Sequence, residues 1–235
     1  MIRVSAPGFF LAVDPLPRWM WIAFAAAIVF GGWTLILDPR EIDSSLAPVL
    51  FLQMFAASGG FHASAARGHY DPILVRGGSR GAIALASLAA SAAPGLTAWL
   101  TLVVAALMSG CPPELALAPH RHVAVALVSC GAWWAGLAIP RLAAGALWAV
   151  LLVAMAVSRT LLMEQLAVVQ SRPGDVAEIL ASAAVFTVCP FLMLGSFAAA
   201  LDPRVLAVTA SAAGLMAWSG VRRVARHDYT LTEPS

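Results

Sequence analysis

Seven apolar runs organise the chain, and every Asp, Glu and Arg lies between or outside them. The runs are Trp19–Leu37, Leu46–Phe61, Gly81–Ser109, Val123–Ile139, Leu142–Val157, Ile179–Leu201 and Val205–Val221. A helix needs about 20 apolar residues to cross a hydrocarbon core, so the pattern predicts an all-α integral membrane protein. The third run is long enough to tilt, or to bend at Pro94-Gly95. The sixth is interrupted by Cys189-Pro190.

Composition sharpens this picture. The chain is 61% hydrophobic and 11% charged, with mean hydropathy +0.86, whereas a soluble domain carries about 25% charged residues. Its 235 residues read as one membrane domain, 1–235, whose connecting segments are too short to hold a soluble domain. All fourteen Lys-plus-Arg residues are arginine. A phosphate-binding P-loop and Schiff-base chemistry both need a lysine, so the chain cannot hydrolyse ATP by that route alone. Cys111, Cys130 and Cys189 form no C-x-x-C pair, which removes support for a zinc or thioredoxin-type site.

Charge placement predicts orientation. The amino end carries Arg3 and Arg18, the segment after the second run carries Arg67, Arg76 and Arg80, and the tail 222–235 carries Arg222, Arg223 and Arg226. The segment after the first run is acidic, with Asp38, Glu41 and Asp43 against Arg40. Positive residues favour the cytoplasmic side, so the 62–81 segment and both termini are expected inside, in a cell inner membrane. Both ends inside require an even number of crossings, and there are seven runs. One run must enter and leave on the same side. Ile179–Leu201 suits that part, because Pro190 removes a backbone donor at its midpoint and turn-like Arg172-Pro173-Gly174 and Asp202-Pro203-Arg204 bound it. A Pro-kinked true span is the alternative. The expected fold is therefore six transmembrane helices plus a re-entrant or kinked hairpin. Arg141 and Arg159 bracket the fifth run as interfacial snorkelling groups. Residues 1–18, with Phe9, Phe10 and three prolines, read as an interfacial lead-in. Trp19–Leu37 reads as a retained span, since acidic Asp38 follows it instead of a small-residue cleavage site.

The segment 62–81 contains a small helix with both ends marked. Asp71 is a good N-cap acceptor and Pro72 suits the first helical position. Gly77 is a natural left-handed terminator, and Arg76 is favourable at the negative end of the dipole. The helix Pro72–Arg76 presents Ile73, Leu74 and Val75 inside a frame of Arg67, Arg76 and Arg80. Isolated helices below about 12 residues are marginal, so it needs a partner: its own bundle, the lipid interface or another protein.

The succession Arg67-Gly68-His69-Tyr70-Asp71-Pro72-Ile73-Leu74, then Arg76 and Ser79-Arg80 leading into the next run, resembles the loop between the second and third spans of type-2 ABC exporter permeases. Gly77-Gly78 stands where that family commonly has Pro. The resemblance implies a cytoplasmic coupling helix docking on a separate ATPase subunit, with Arg67, Asp71, Pro72, Ile73, Leu74, Arg76 and Arg80 as docking residues. It also implies six spans, an amino-terminal interfacial helix and re-entrant helices before the last span. A second permease copy or a related permease would complete the pore. ATP and Mg would belong to the ATPase partner, with no cofactor or metal in this chain.

Other chemistry finds little footing. His120-Arg121-His122 puts two imidazoles at i, i+2, which do not converge on a helix. Gly77-Gly78-Ser79-Arg80-Gly81 follows no strand and lacks a lysine, so a flexible exit from the short helix outweighs a phosphate cradle. Ser79 stands within the letters G-x-S-x-G (Gly77 to Gly81) but without the strand-to-helix turn that motif needs, no H-E-x-x-H pattern occurs, and no span holds paired carboxylates. The chain is thus expected not to be an enzyme and not to bind nucleic acid. Runs of small residues, Ala84–Ala93 and Ala207–Gly214, predict close helix packing in lipid. The rival reading is a non-catalytic structural or anchoring subunit of a larger membrane complex.

Overall fold

The structure, a computed structural model, describes residues 18–58, 79–137, 176–194 and 202–226. Every element among them is helical: α1 (Arg18–Leu37), α2 (Ile42–Ala57), α3 (Arg80–Met108), α4 (Pro113–Ala116), α5 (Pro119–Gly136), α6 (Val176–Val188), a 3-10 turn (Pro190–Met193) and α7 (Pro203–Arg226). Among the described residues, four stretches are long and apolar enough to cross a bilayer: Arg18–Leu37, Arg80–Met108, Pro113–Gly136 and Pro203–Arg226. At 1.5 Å per residue, α3 is about 43 Å long and α6 only about 20 Å, against a hydrocarbon core of about 30 Å.

Local chemistry sets the helix ends. Ser79 caps α3, its side chain accepting the Ala82 amide at 3.1 Å. Gly110, at φ +87°, ends the same helix in left-handed backbone. The Cys111 amide then reaches back to the Ala106 carbonyl (2.9 Å) and the Gly110 amide to Leu107 (3.1 Å), which satisfies two orphan carbonyls. Pro113 and Pro119 occupy first helical turns, where the missing N–H costs nothing. Asp202 opens α7 by accepting the Arg204 amide at 2.8 Å.

The helices differ from the apolar runs at three boundaries. α2 starts at Ile42, four residues before the run, so Asp43, Ser44 and Ser45 are helical. α5 starts at Pro119, which puts His120, Arg121 and His122 in its first turns. α7 continues to Arg226, so the tail expected from residue 222 begins as helix. In each case polar residues that end a hydropathy pattern do not end the backbone hydrogen-bond ladder. Pro94 lies inside an α3 that stays helical through it.

Side-chain contacts fix the helix directions. Asp43, Gln53 and Ser58 of the α2 region meet Arg121, Ser129 and Gly136 of α5 in that order, so α2 and α5 run parallel. Gln53 also meets Ser91, and Ser45 lies with Leu102 around Gly31, so α3 is antiparallel to α2. On α7, Met216 approaches Gly131 and Gly220 approaches Trp133 and Leu137, so α7 runs with α5. The chain therefore leaves α5 at one end of the bundle and begins α7 at the other.

α2 is the centre, packed against α1, α3 and α5. Leu46, Val49 and Leu50 are fully buried with Leu35, Leu102, Ala106 and Ala124. The outside is inverted relative to a soluble protein. On α1, Trp19, Ile22, Val29, Phe30, Trp33, Ile36 and Leu37 are each at least 60% exposed. An apolar face of that extent is an aggregation liability in water and the solvated face in lipid. Hydroxyls on the helices turn inward to their own backbone: Thr34 donates to Phe30, Thr101 to Thr97 and Ser211 to Ala207, at 2.8–2.9 Å. Among the described residues the chain is all-helical, and its long apolar helices are those of a membrane protein.

Candidate functional site

The two ends of the bundle differ in charge. Arg18, Arg80, Arg222, Arg223 and Arg226 gather at one end, with Ser58 and Ser79. Arg222 lies over the Trp218 ring, 5.0 Å from its centroid, as an interfacial Arg–Trp stack. The opposite end carries Asp38, Glu41, Asp43, Glu114 and Asp202 against Arg40, Arg121 and Arg204. The expected docking residues Arg67, Asp71, Pro72, Ile73, Leu74 and Arg76 lie outside the described residues, as do residues 1–17 of the 1–18 lead-in, whose Arg18 begins α1, and the fifth run. Arg80 is the first residue of α3, directly after the Ser79 cap. Pro190 does not kink a helix. α6 stops at Val188, Cys189 takes φ −124° and ψ 69°, and Pro190 opens the 3-10 turn. That turn packs on α5 and α6, with Met193 fully buried.

Inside the acidic end lies a charge that the apolar runs did not reveal. Arg121 is 2% exposed, and its Nε donates to Asp43 Oδ1 at 2.5 Å. Its Nη1 donates to the Leu115 carbonyl. One guanidinium thus joins the first turn of α2, the first turn of α5 and the α3–α5 connection. His120 beside it is equally buried, and its Nε2 has no hydrogen-bond partner among the described residues. His122 behaves differently: its Nδ1 lies 3.2 Å from the Ala118 carbonyl and its ring meets Trp99 edge-on at 5.6 Å. The two imidazoles serve separate surroundings, as their i, i+2 spacing predicts. Cys111 is buried at this end. Burial pushes its thiol above the ordinary value, and the positive field of Arg121 draws part of that back.

A second polar group sits at mid-bundle. Gln53 is fully buried, and its Nε2 donates to the Ser91 carbonyl (2.9 Å) and to Ser129 Oγ (3.1 Å). It therefore ties α2 to α3 and α5. Ser91 lies three residues before Pro94, where the proline removes a rung of the α3 ladder. Gly95 makes room for the amide, since a Cβ there would lie 2.4 Å from Gln53 Oε1. One turn closer to the arginine end, Trp133 Nε1 donates to Ser87 Oγ at 3.2 Å.

These groups orient helices; they do not form a reacting constellation. Among the described residues no three His, Cys, Asp or Glu groups come close enough to hold a metal ion. Ser44 Oγ donates to Glu41 Oε2 at 2.5 Å, an exposed contact at the start of α2. Arg121 and Asp43 stand 78 positions apart, so no local pattern pairs them. The available signal was a guanidinium at the head of an apolar helix, which requires an internal partner. No family model, no curated protein and no solved structure matches this chain.

Proposed function

We propose that this chain is the membrane-spanning subunit of an ABC exporter, coupling ATP hydrolysis by a separate ATPase subunit to movement of a substrate across the membrane. The observation that carries the reading is the charge asymmetry of the bundle. Ser58 and Ser79 flank the 59–78 segment at the arginine end, where Arg18, Arg222, Arg223 and Arg226 also lie. By the positive-inside rule that end is cytoplasmic, which supports a cytosolic docking role for Arg67, Asp71, Pro72, Ile73, Leu74, Arg76 and Arg80.

The parallel course of α5 and α7 supports the six-span arrangement. The chain passes from the arginine end at Leu137 to the acidic end at Asp202, so it crosses an odd number of times between them. Two apolar runs occupy that stretch, Leu142–Val157 and Ile179–Leu201. In the proposed arrangement one crosses and the other re-enters. The length of α6, about 20 Å, and the break at Cys189-Pro190 support Ile179–Leu201 as the re-entrant one. Broken backbone at membrane depth must be covered by protein, and the contacts of α6 and the 3-10 turn with α5 and α7 provide that cover.

The mechanism is mechanical. ATP closes the ATPase pair, the docked 72–76 helices move with it, and the spans exchange between two arrangements that bind substrate differently. Two copies of this chain, or this chain and a related permease, work together in an inner membrane. The test is affinity purification in mild detergent with identification of co-purifying chains. A Walker-motif ATPase is expected; constant recovery within a respiratory or photosynthetic complex overturns the proposal in favour of an anchoring subunit. Leu74→Asp puts a charge on the apolar docking peg. It is expected to abolish co-purification of the ATPase while the variant still inserts and folds.

A further inference from the structure

α2 and α5 pack along their parallel course, and three of their contacts are of different kinds. At the arginine end Gly136 packs on the backbone of Ser58, so closely that a Cβ on Gly136 would lie 2.3 Å from the Ser58 carbonyl oxygen. At mid-height Gln53 donates to Ser129 at 3.1 Å. At the acidic end the contact is the Asp43–Arg121 ion pair, with Arg121 2% exposed and Asp43 19% exposed. A backbone contact with no side chain between can rotate but has nothing to dissociate. An ion pair has two stable conditions, paired when dry and separated when hydrated. Asp43 is 19% exposed, so the pair can be reached from outside the bundle. Replacing such a pair by apolar groups is commonly neutral or stabilising, so stability alone gives no reason to keep it. The unpartnered Nε2 of His120 beside it points the same way, because that nitrogen gains a partner when water enters.

We propose that Asp43 and Arg121 form a clasp that holds the acidic ends of α2 and α5 shut, with the Ser58–Gly136 contact as its fulcrum. Opening separates Asp43 from Arg121, frees the Leu115 carbonyl and lets water reach the α3–α5 connection. The clasp itself stands on the ion pair; its use in a transport cycle rests on the exporter reading and makes it the outer gate.

Cys111 is a native reporter, buried at 4% exposure in that connection and within the field of Arg121. The experiment is maleimide alkylation of Cys111 in the full chain, in detergent and in proteoliposomes, with Cys130→Ser and Cys189→Ser removing the other thiols. Asp43→Asn keeps shape and weakens the pair, and is expected to speed alkylation about tenfold by raising the open population. The double variant Asp43→Leu/Arg121→Met replaces the pair by apolar contact. It is expected to fold with unchanged or higher thermal stability and to alkylate no faster than the parent. If Asp43→Asn fails to fold, the comparison of parent with double variant decides: a parent rate above that of the double variant supports the clasp. Equal rates in all folded proteins overturn it. In membranes holding the ATPase partner, ATP is expected to raise the Cys111 rate in the parent and not in the double variant. Absence of any ATPase partner removes the exporter reading and leaves the detergent result to judge the clasp.

Discussion

The two ends of the α2–α5 pair hold the same helices together by opposite means. At the arginine end the contact among the described residues is one of shape, Gly136 against the Ser58 backbone, with Gly220 admitting the Trp133 ring nearby. At the acidic end there is charge, Arg121 between Asp43 and the Leu115 carbonyl. Shape fails by collision and is indifferent to water. Charge fails by losing a partner and is governed by water. In lipid, where apolar contact gives no preference for one neighbour over another, these two devices decide which helices lie together and at what register.

Breaking the charged end has the largest expected effect. Asp43→Leu alone leaves the Arg121 guanidinium buried without its carboxylate, a loss of ~3–5 kcal/mol, read as a fall in thermal or denaturant midpoint in micelles. The added Arg121→Met is expected to restore most of it. Breaking the shaped end comes next. Gly136→Leu drives a side chain into the Ser58 carbonyl, costing about 1–3 kcal/mol, and no change of salt or pH relieves it. Gln53→Leu, between the two ends, keeps volume and removes the donor to Ser91 and Ser129. Its expected cost is about 0.6–1.7 kcal/mol, with faster amide exchange in α3 around Pro94. The smallest effect is on the Cys111 thiol. Because burial holds its pKa above the ordinary value, little thiolate is present at neutral pH. Alkylation is therefore expected to be slow there and to accelerate only as pH rises past the usual thiol range.

The helices were legible in the sequence because lipid leaves no room for compromise. Residues facing it must be apolar or, like Thr34 and Thr101, turn their hydroxyls to their own backbone, so α1 and α3 match their runs to within a residue. α2 was less legible because Asp43 and Ser45 are paid for by tertiary partners, Arg121 and the Gly31 carbonyl (3.1 Å). No hydropathy window contains those partners. Gln53 was silent for the same reason: a lone amide in an apolar run has meaning only once Ser91 and Ser129 are beside it. Pro190 was read as a re-entrant or kink residue, and locally it opens a 3-10 turn after α6 has ended at Val188. The docking residues 67–76 rest on local capping logic and on resemblance, and they lie outside the described residues.

The claim on which the account turns is the sidedness of the bundle. It is tested most directly by single cysteines in a background with Cys111, Cys130 and Cys189 replaced, labelled in intact cells with a membrane-impermeant maleimide. Arg40→Cys reports the acidic end, and Ser79→Cys and Ala225→Cys report the arginine end. Labelling at 40 from outside, with 79 and 225 labelled only after permeabilisation, is the expected result. Labelling at 79 from outside in intact cells contradicts the account, because a loop on that face cannot meet a cytosolic ATPase.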